Sequence, residues 1–293
     1  MRKIIGKQHI KNILLILVFS LLIISITKDT IELFAVSSRE QVKCVPIIMY
    51  HQVKDTRLGK DVISPLEFEN DLKYLTDNNY NTITMTQLIN YVYEDIELPD
   101  NPIILSFDDG YLSTYKYVYP LLQKYNMKIV LSIIGKSTDD FSKVIDNNLY
   151  AHLTWDHLKE MEQSELVEIQ NHTYNLHKIK SGRCGCGQLY NETMYDYEDL
   201  IKEDVEKFEE RIGLMDIALP NTFTYPYGKY NDNTEEILKK LGYKATLSCR
   251  YGINLIDKNP DSLYGLKRIC RAHNNDISKL IKEGMETLKY IER

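Results

Sequence analysis

The sequence carries one tryptophan, five cysteines, eight prolines and 13 glycines in 293 residues. So little glycine and proline excludes a collagen-like or low-complexity chain. Its longest apolar run falls short of the roughly 20 residues of a comfortable membrane span, which excludes a multi-span membrane protein. Nothing reads as an internal repeat or a linker. Basic charge is in deficit, with 36 Lys and Arg against 42 Asp and Glu and a net charge of -6. A general nucleic-acid binder draws its affinity from cations that neutralise phosphates, so that class is excluded too. The cysteines (Cys44, Cys184, Cys186, Cys249 and Cys270) are odd in number, so at least one is unpaired or pairs outside the chain. Cys184-Gly185-Cys186 supplies only half of a structural zinc site. The stretch from Ser181 to Gly187 reads instead as a mobile, glycine-rich loop.

The chain is 43% hydrophobic and 27% charged. At roughly 150 residues per domain it allows one or two domains, and α/β barrels of about 200–250 residues commonly fold as one. Such a length builds a sizeable core without disulfides or a metal. The charge is unevenly spread. Residues 1–38 hold five basic side chains (Arg2, Lys3, Lys7, Lys11, Lys28) and two acidic ones (Asp29, Glu32), which leaves residues 39–293 at -9. A basic N-terminus followed by the uncharged run Ile13 to Ile26 reads as an export signal. Ala35-Val36-Ser37 is a passable cleavage site, so a cleaved signal and an uncleaved membrane anchor both stay open. The expected division is therefore a signal or anchor over 1–38 and one exported domain over 39–293, extracellular or at the cell surface.

Within that domain, apolar strand-like runs alternate with amphipathic helix-like ones. Strands are expected at Val45 to Tyr50, Thr82 to Thr84, Pro102 to Phe107, Lys128 to Ile134, Leu166 to Ile169, Asn221 to Tyr225, Lys244 to Ser248 and Tyr264 to Cys270. Ser64-Pro65-Leu66-Glu67 is a capping box with proline at the first helical position, opening a helix to about Asp77. Further helices are expected near 86–93, 113–125, 155–163, 196–212, 234–241 and 276–291. This alternation predicts an α/β fold with a parallel sheet. About seven strand–helix units predict a single-domain incomplete (β/α)7 barrel, with an open doubly wound sheet as the alternative.

In such folds chemistry gathers at the C-terminal ends of strands. Three expected strands end in reactive groups: Tyr50-His51, Asp108-Asp109-Gly110, and a segment holding His172 and His177. An isolated Asp-Asp-Gly is ordinarily a solvated turn. One aspartate and two histidines on neighbouring strand ends, however, make a three-ligand site with open positions, the arrangement of a hydrolytic divalent ion.

At these residues the sequence resembles the polysaccharide deacetylases of the NodB-homology type, carbohydrate esterase family 4. Ser106-Phe107-Asp108-Asp109-Gly110, His172-Thr173 through His177, and Phe223-Thr224-Tyr225-Pro226-Tyr227-Gly228 are similar to the family's three motifs, in order. The resemblance implies Asp109, His172 and His177 as ligands of one divalent ion, zinc or else cobalt, nickel or manganese. It implies Asp108 as general base and the Tyr227 backbone N–H as oxyanion donor, with Pro226 and Tyr225 beside it. The five-residue histidine spacing resembles the poly-N-acetylglucosamine branch, which implies His51 as general acid, with His273 as its competitor. Many members place a base-orienting arginine where this sequence has Thr224, and Arg268 is the candidate to replace it.

The activity so implied is hydrolysis of N-acetyl groups on N-acetylglucosamine residues of an envelope glycan, peptidoglycan or poly-N-acetylglucosamine. Two alternatives are a catalytically impaired carbohydrate-binding protein and an amidase or esterase of smaller substrates. Among 22 tyrosines, Tyr111, Tyr174, Tyr225 and Tyr227 flank the motifs and are candidate groove walls. The expected partners are the glycan and, through an uncleaved anchor, the membrane. No protein partner is readable from the sequence.

Overall fold

Apolar runs buried on both faces pair as parallel strands whose crossovers are helical. The computed structural model of the chain describes residues 42–144 and 150–288. In it β1 (Ile47–Tyr50), β2 (Pro102–Phe107), β3 (Ile129–Ile133), β4 (Val167–Asn171), β5 (Thr222–Thr224), β6 (Ala245–Leu247) and β7 (Ile269–Cys270) share one sheet. Their order is β6-β5-β4-β3-β2-β1-β7, all neighbours parallel. No reversal interrupts this order, as it would in a doubly wound sheet. The expected incomplete (β/α)7 barrel is the architecture found.

Alternation along the strands sorts the core. Ile48, Leu105, Phe107, Ile129 and Leu131 pack beneath α1 (Pro65–Asp77), α5 (Trp155–Gln163) and α6 (Met194–Leu214). Ile47, Ile104, Val130, Ala245 and Leu247 gather on the opposite face with residues of α2 (Met85–Tyr93). The remaining helices are α3 (Tyr119–Tyr125), α4 (Gly135–Phe141), α7 (Asp232–Lys240) and α8 (Ile277–Leu288). The capping box at Ser64 forms as expected: the Glu67 N–H donates to Ser64 Oγ and the Ser64 N–H to Glu67 Oε2.

Several elements depart from expectation for local reasons. The last strand keeps only Ile269–Cys270, because the chain there changes partners: Leu266 bridges Leu247 beside β6, whereas Ile269 pairs with Ile48 of β1. One short segment thus touches both edges of the sheet. The strand expected at Thr82 to Thr84 is Asn81–Thr82, since Thr84 caps α2 instead. The helix expected from Ser113 opens as a π turn over Thr114–Val118, with the Tyr119 N–H reaching Thr114. Pro120 follows, and it has no N–H to give the preceding turn. Helix α4 has no apolar period; it is fixed where Gly135 abuts Tyr174 and Phe208, a gap that a Cβ would close to 2.8 Å. Far from being a loose loop, the stretch around Cys184 pairs Ile179–Lys180 with Arg183–Cys184, and Cys186 is buried. All five cysteines are free thiols.

From Cys44 onward the residues belong to one unit. The expected signal or anchor over 1–38 lies outside the described residues, among which no helix is long and apolar enough to cross a membrane.

The C-terminal edge is tied to α1 by a buried pair. Arg271 donates to both oxygens of Asp71, at 2.8 and 3.0 Å, and the Tyr50 hydroxyl donates to the same carboxylate at 3.1 Å. Removing one partner strands the other charge without solvent. Asp71→Ala should therefore lose about 3–5 kcal/mol in urea unfolding, and a loss below ~1 kcal/mol would show that the pair does not anchor β7.

Candidate active site

The two adjacent aspartates serve different neighbours because the backbone turns between strand and helix. Ile104, Ser106 and Asp108 share one face of β2 and its end, since side chains alternate. Asp109 then takes φ 72° and Gly110 φ 74°, both left-handed. At Gly110 a Cβ would sit 2.9 Å from the Ile133 side chain, so glycine is required there. The Leu153 N–H donates to the Gly110 carbonyl and the Leu112 N–H to Ala151, which pins the turn.

Asp108 meets Arg268. The guanidinium donates from Nη1 to Oδ1 at 2.7 Å and from Nη2 to Oδ2 at 2.9 Å. Its Nε–H reaches the Ser248 carbonyl at 2.8 Å and Nη1 also reaches Ser106 Oγ. Burial alone would favour the neutral acid, but the Arg268 guanidinium beside it holds Asp108 well below the usual carboxylate range. Thr224 makes a buried hydroxyl pair with Ser132 at 2.7 Å, leaving the guanidinium to come from the β7 side.

Asp109 meets the histidines. Its Oδ1 lies 3.5 Å from His172 Nε2 and 3.3 Å from His177 Nε2. His172 Nδ1 lies 2.8 Å from the Thr224 carbonyl, which fixes the tautomer with a free Nε2 lone pair. Burial pushes the His172 pKa down to about 4, so the ring is neutral. The three donor atoms lie within 4.8 Å of one another, and Asp109 Oδ1 is buried with no hydrogen-bond partner. An orphaned carboxylate oxygen facing two imidazoles fits a divalent metal ion.

A cavity of about 650 Å³ is lined by Asp108, Asp109, His172, His177, His51, Tyr111, Tyr225 and Tyr227. His51, at the end of β1, is half-buried, and its Nδ1 has no partner. Tyr227 has φ 56°, and its ring stands 4.5 Å from that of His177. Tyr225 is buried and stacks on Tyr230 at 4.1 Å. Pro226 is buried behind them against Gly185. Two candidates lie elsewhere. His273 is outside the cavity lining, with Nδ1 2.9 Å from Glu67 on α1. Tyr174 points its hydroxyl to Asp139 at 2.9 Å and is scaffold rather than groove wall. The motifs gave no hint of Gln52, Lys60, Asp61, Tyr150, Cys249 and Cys270, which also line the cavity. They come from separate short strands and loops whose approach only the fold decides.

The profile of the family described as polysaccharide deacetylase matches residues 95–246, more than half of the chain. The chain belongs to the polysaccharide deacetylase family. The solved structure of a de-N-acetylase from Aggregatibacter actinomycetemcomitans is similar, with TM-score 0.70 and 26% identity over 82% of this chain and 99% of that one. A poly-β-1,6-N-acetyl-D-glucosamine N-deacetylase of Escherichia coli K12 is 26% identical over 259 residues. That match takes in 80% of this chain but only 38% of the relative's length. A poly-β-1,6-N-acetyl-D-glucosamine N-deacetylase of Staphylococcus aureus N315 is 27% identical over 67% of this chain and 62% of its own. Asp108, Asp109, His172, His177 and Tyr227 fall inside the profile match, whereas His51 and Arg268 lie outside it. The curl of the sheet delivers His51 to the cavity and Arg268 to the buried side of Asp108.

The purified chain should hold about one equivalent of divalent metal by elemental analysis. Asp109→Ala should weaken zinc affinity more than about 100-fold, beyond the usual cost of losing an outer partner; unchanged affinity would exclude Asp109 as a ligand.

Proposed function

We propose that the chain removes acetyl groups from N-acetylglucosamine residues of an envelope polysaccharide of the poly-N-acetylglucosamine class, releasing acetate. The observation that carries this reading is the convergence, in one cavity, of the Asp109–His172–His177 donors with an ionised, buried Asp108. The names of the Escherichia coli and Staphylococcus aureus relatives support the polymer class. The basic and apolar segment within 1–38 is proposed to carry the site to the outside of the cell, cleaved or retained as an anchor.

Asp109, His172 and His177 would hold the metal, and one carboxylate with two imidazoles suits zinc. A divalent ion bound there supplies Lewis-acid polarisation of the acetyl carbonyl. Asp108 takes a proton from the attacking water as the C–O bond forms, and its lone pair is available because Arg268 keeps it ionised. The Tyr227 N–H donates to the oxyanion of the tetrahedral intermediate. His51, protonated, gives its proton to the glucosamine nitrogen as the C–N bond breaks. Acetate and a free amine remain. Tyr111 stands in the cavity as a neutral donor, its phenol pushed up by burial and by Asp109. An impaired binding protein had its motive in Thr224, and the Arg268 guanidinium on Asp108 weakens it.

Acetate release should be greatest on β-1,6-linked poly-N-acetylglucosamine when compared with chitooligosaccharides and peptidoglycan, and a peptidoglycan preference would reassign the polymer. Asp108→Asn and His51→Ala should each lower kcat by about 10²–10⁴-fold. Full activity in either variant sinks the role given to that residue.

Arg268 makes a pH prediction. Its charge lowers the Asp108 pKa, and burial alone raises it, so Arg268→Met lets the pKa climb. The acidic limb of kcat/KM should then move to higher pH by about 1–3 pH units, the usual effect of an adjacent opposite charge. An unmoved limb would mean that Arg268 does not tune the base.

A further inference from the structure

The loop that carries both histidines rests on a carboxylate outside the three motifs. Asp204, on α6, is 8% exposed. Its Oδ1 accepts the Tyr174 N–H and its Oδ2 the Asn175 N–H, each at 2.7 Å. Tyr174 and Asn175 are the middle of the span from His172 to His177. Two successive backbone N–H groups aimed at one anion form a concavity that fixes local backbone geometry. The neighbouring restraints complete the hold. The Thr173 N–H donates to Asn171 Oδ1 at 2.7 Å, the Leu176 N–H to Thr173 Oγ1 at 3.2 Å, and the Lys136 N–H to the Tyr174 carbonyl at 2.8 Å. Thr173 itself is held at φ 73°, a left-handed conformation that a β-branched residue keeps only under such constraint.

A carboxylate is a costly choice for this place. Burial pushes the Asp204 pKa up to about 6 against the pull of the two amides. A carboxylate whose folded pKa exceeds its unfolded value loses stability as pH rises between the two, so at neutral pH its charge weakens the fold. Its geometric effect on the loop is what it offers in return.

We propose that Asp204 is a positioning residue of the metal site: by clamping two consecutive N–H groups it makes His172 and His177 present Nε2 to one point and so sets the affinity for the ion. This rests on the reading of Asp109, His172 and His177 as the ligands. Loss of such an outer partner typically costs about 10–100-fold in metal affinity.

The test is a zinc titration of the full chain in competition with a fluorescent chelator, alongside thermal unfolding with the metal stripped. Asp204→Asn keeps the size and one acceptor oxygen and should weaken zinc binding by about 10–100-fold. Asp204→Ser, a smaller acceptor, should do the same. Val205→Ala removes buried packing one residue along α6 and should lower the melting temperature while leaving zinc affinity unchanged. Zinc binding as tight as wild type in the folded Asp204→Asn or Asp204→Ser chain overturns the positioning role, as does an equal loss in Val205→Ala. A wild-type chain that binds no zinc brings down the ligand reading itself, and this proposal with it.

Discussion

One buried ion pair organises the C-terminal end of the sheet. Arg268 and Asp108 are 160 residues apart in sequence, both are almost fully buried, and they meet through two hydrogen bonds. A guanidinium removed from water must find partners for its donors, or its desolvation outweighs its attraction to one carboxylate. Here Nε goes to the Ser248 carbonyl just past β6, Nη1 to Ser106 on β2 and Asp108, and Nη2 to Asp108. The arginine itself sits between Leu266, which bridges β6, and Ile269, which pairs with β1. Satisfying one buried cation therefore links the segment that spans the two sheet edges to the strand that carries both aspartates. The placement of Asp108 and the curl of the sheet are the same problem.

Burial acts on the titratable groups of the cavity in one direction, against charge, and the partners decide the outcome. At His172 burial outweighs the nearby Asp108 and Asp109 carboxylates and the Thr224 carbonyl on Nδ1, so the ring is neutral with a free lone pair on Nε2. Asp108 is buried as deeply, but the arginine overrides the penalty and the charge persists. For Asp204, burial outweighs the two amides and the Lys178 charge together and leaves the pKa raised. Three groups under one penalty are thereby sorted into a neutral imidazole, an ionised carboxylate and a carboxylate whose charge is costly.

What could be read from the sequence was local. The capping box at Ser64-Pro65-Leu66-Glu67 and the apolar runs Pro102–Phe107 and Ile129–Ile133 state their structure within a few residues. The reactive groups after β2 and β4 were legible because parallel α/β sheets collect function at one end of their strands. Illegible were the features decided by distant partners. Helix α4 has no apolar period and exists because Gly135 lets Tyr174 and Phe208 close on it. Tyr174 looked like a sugar-stacking ring beside a motif, yet Asp139, on α4, takes its hydroxyl. His273 was a rival for the acid until α1 offered Glu67 to its ring. Arg268, on a strand expected near the end of the chain, was legible as a candidate to replace the missing motif arginine, but its geometry was not. That it meets Asp108 follows from a curl that no window of residues contains.

The adjacency of Asp108 and Asp109 shows why sequence spacing and site geometry need not agree. Carboxylates next to each other on an extended strand point to opposite faces, and one of them would be lost to the site. The chain avoids this by ending β2 before Asp109 and entering two left-handed residues, the second a glycine pressed against Ile133. The turn swings Asp109 toward the β4 histidines while Asp108 keeps the inward face it inherits from Ile104 and Ser106. Two consecutive carboxylates thus face different partners, one an arginine and the other two histidines. What the motif encodes is the turn as much as the two acids: with an ordinary residue in place of Gly110, both carboxylates would remain in the sequence and the division of labour between them would be lost.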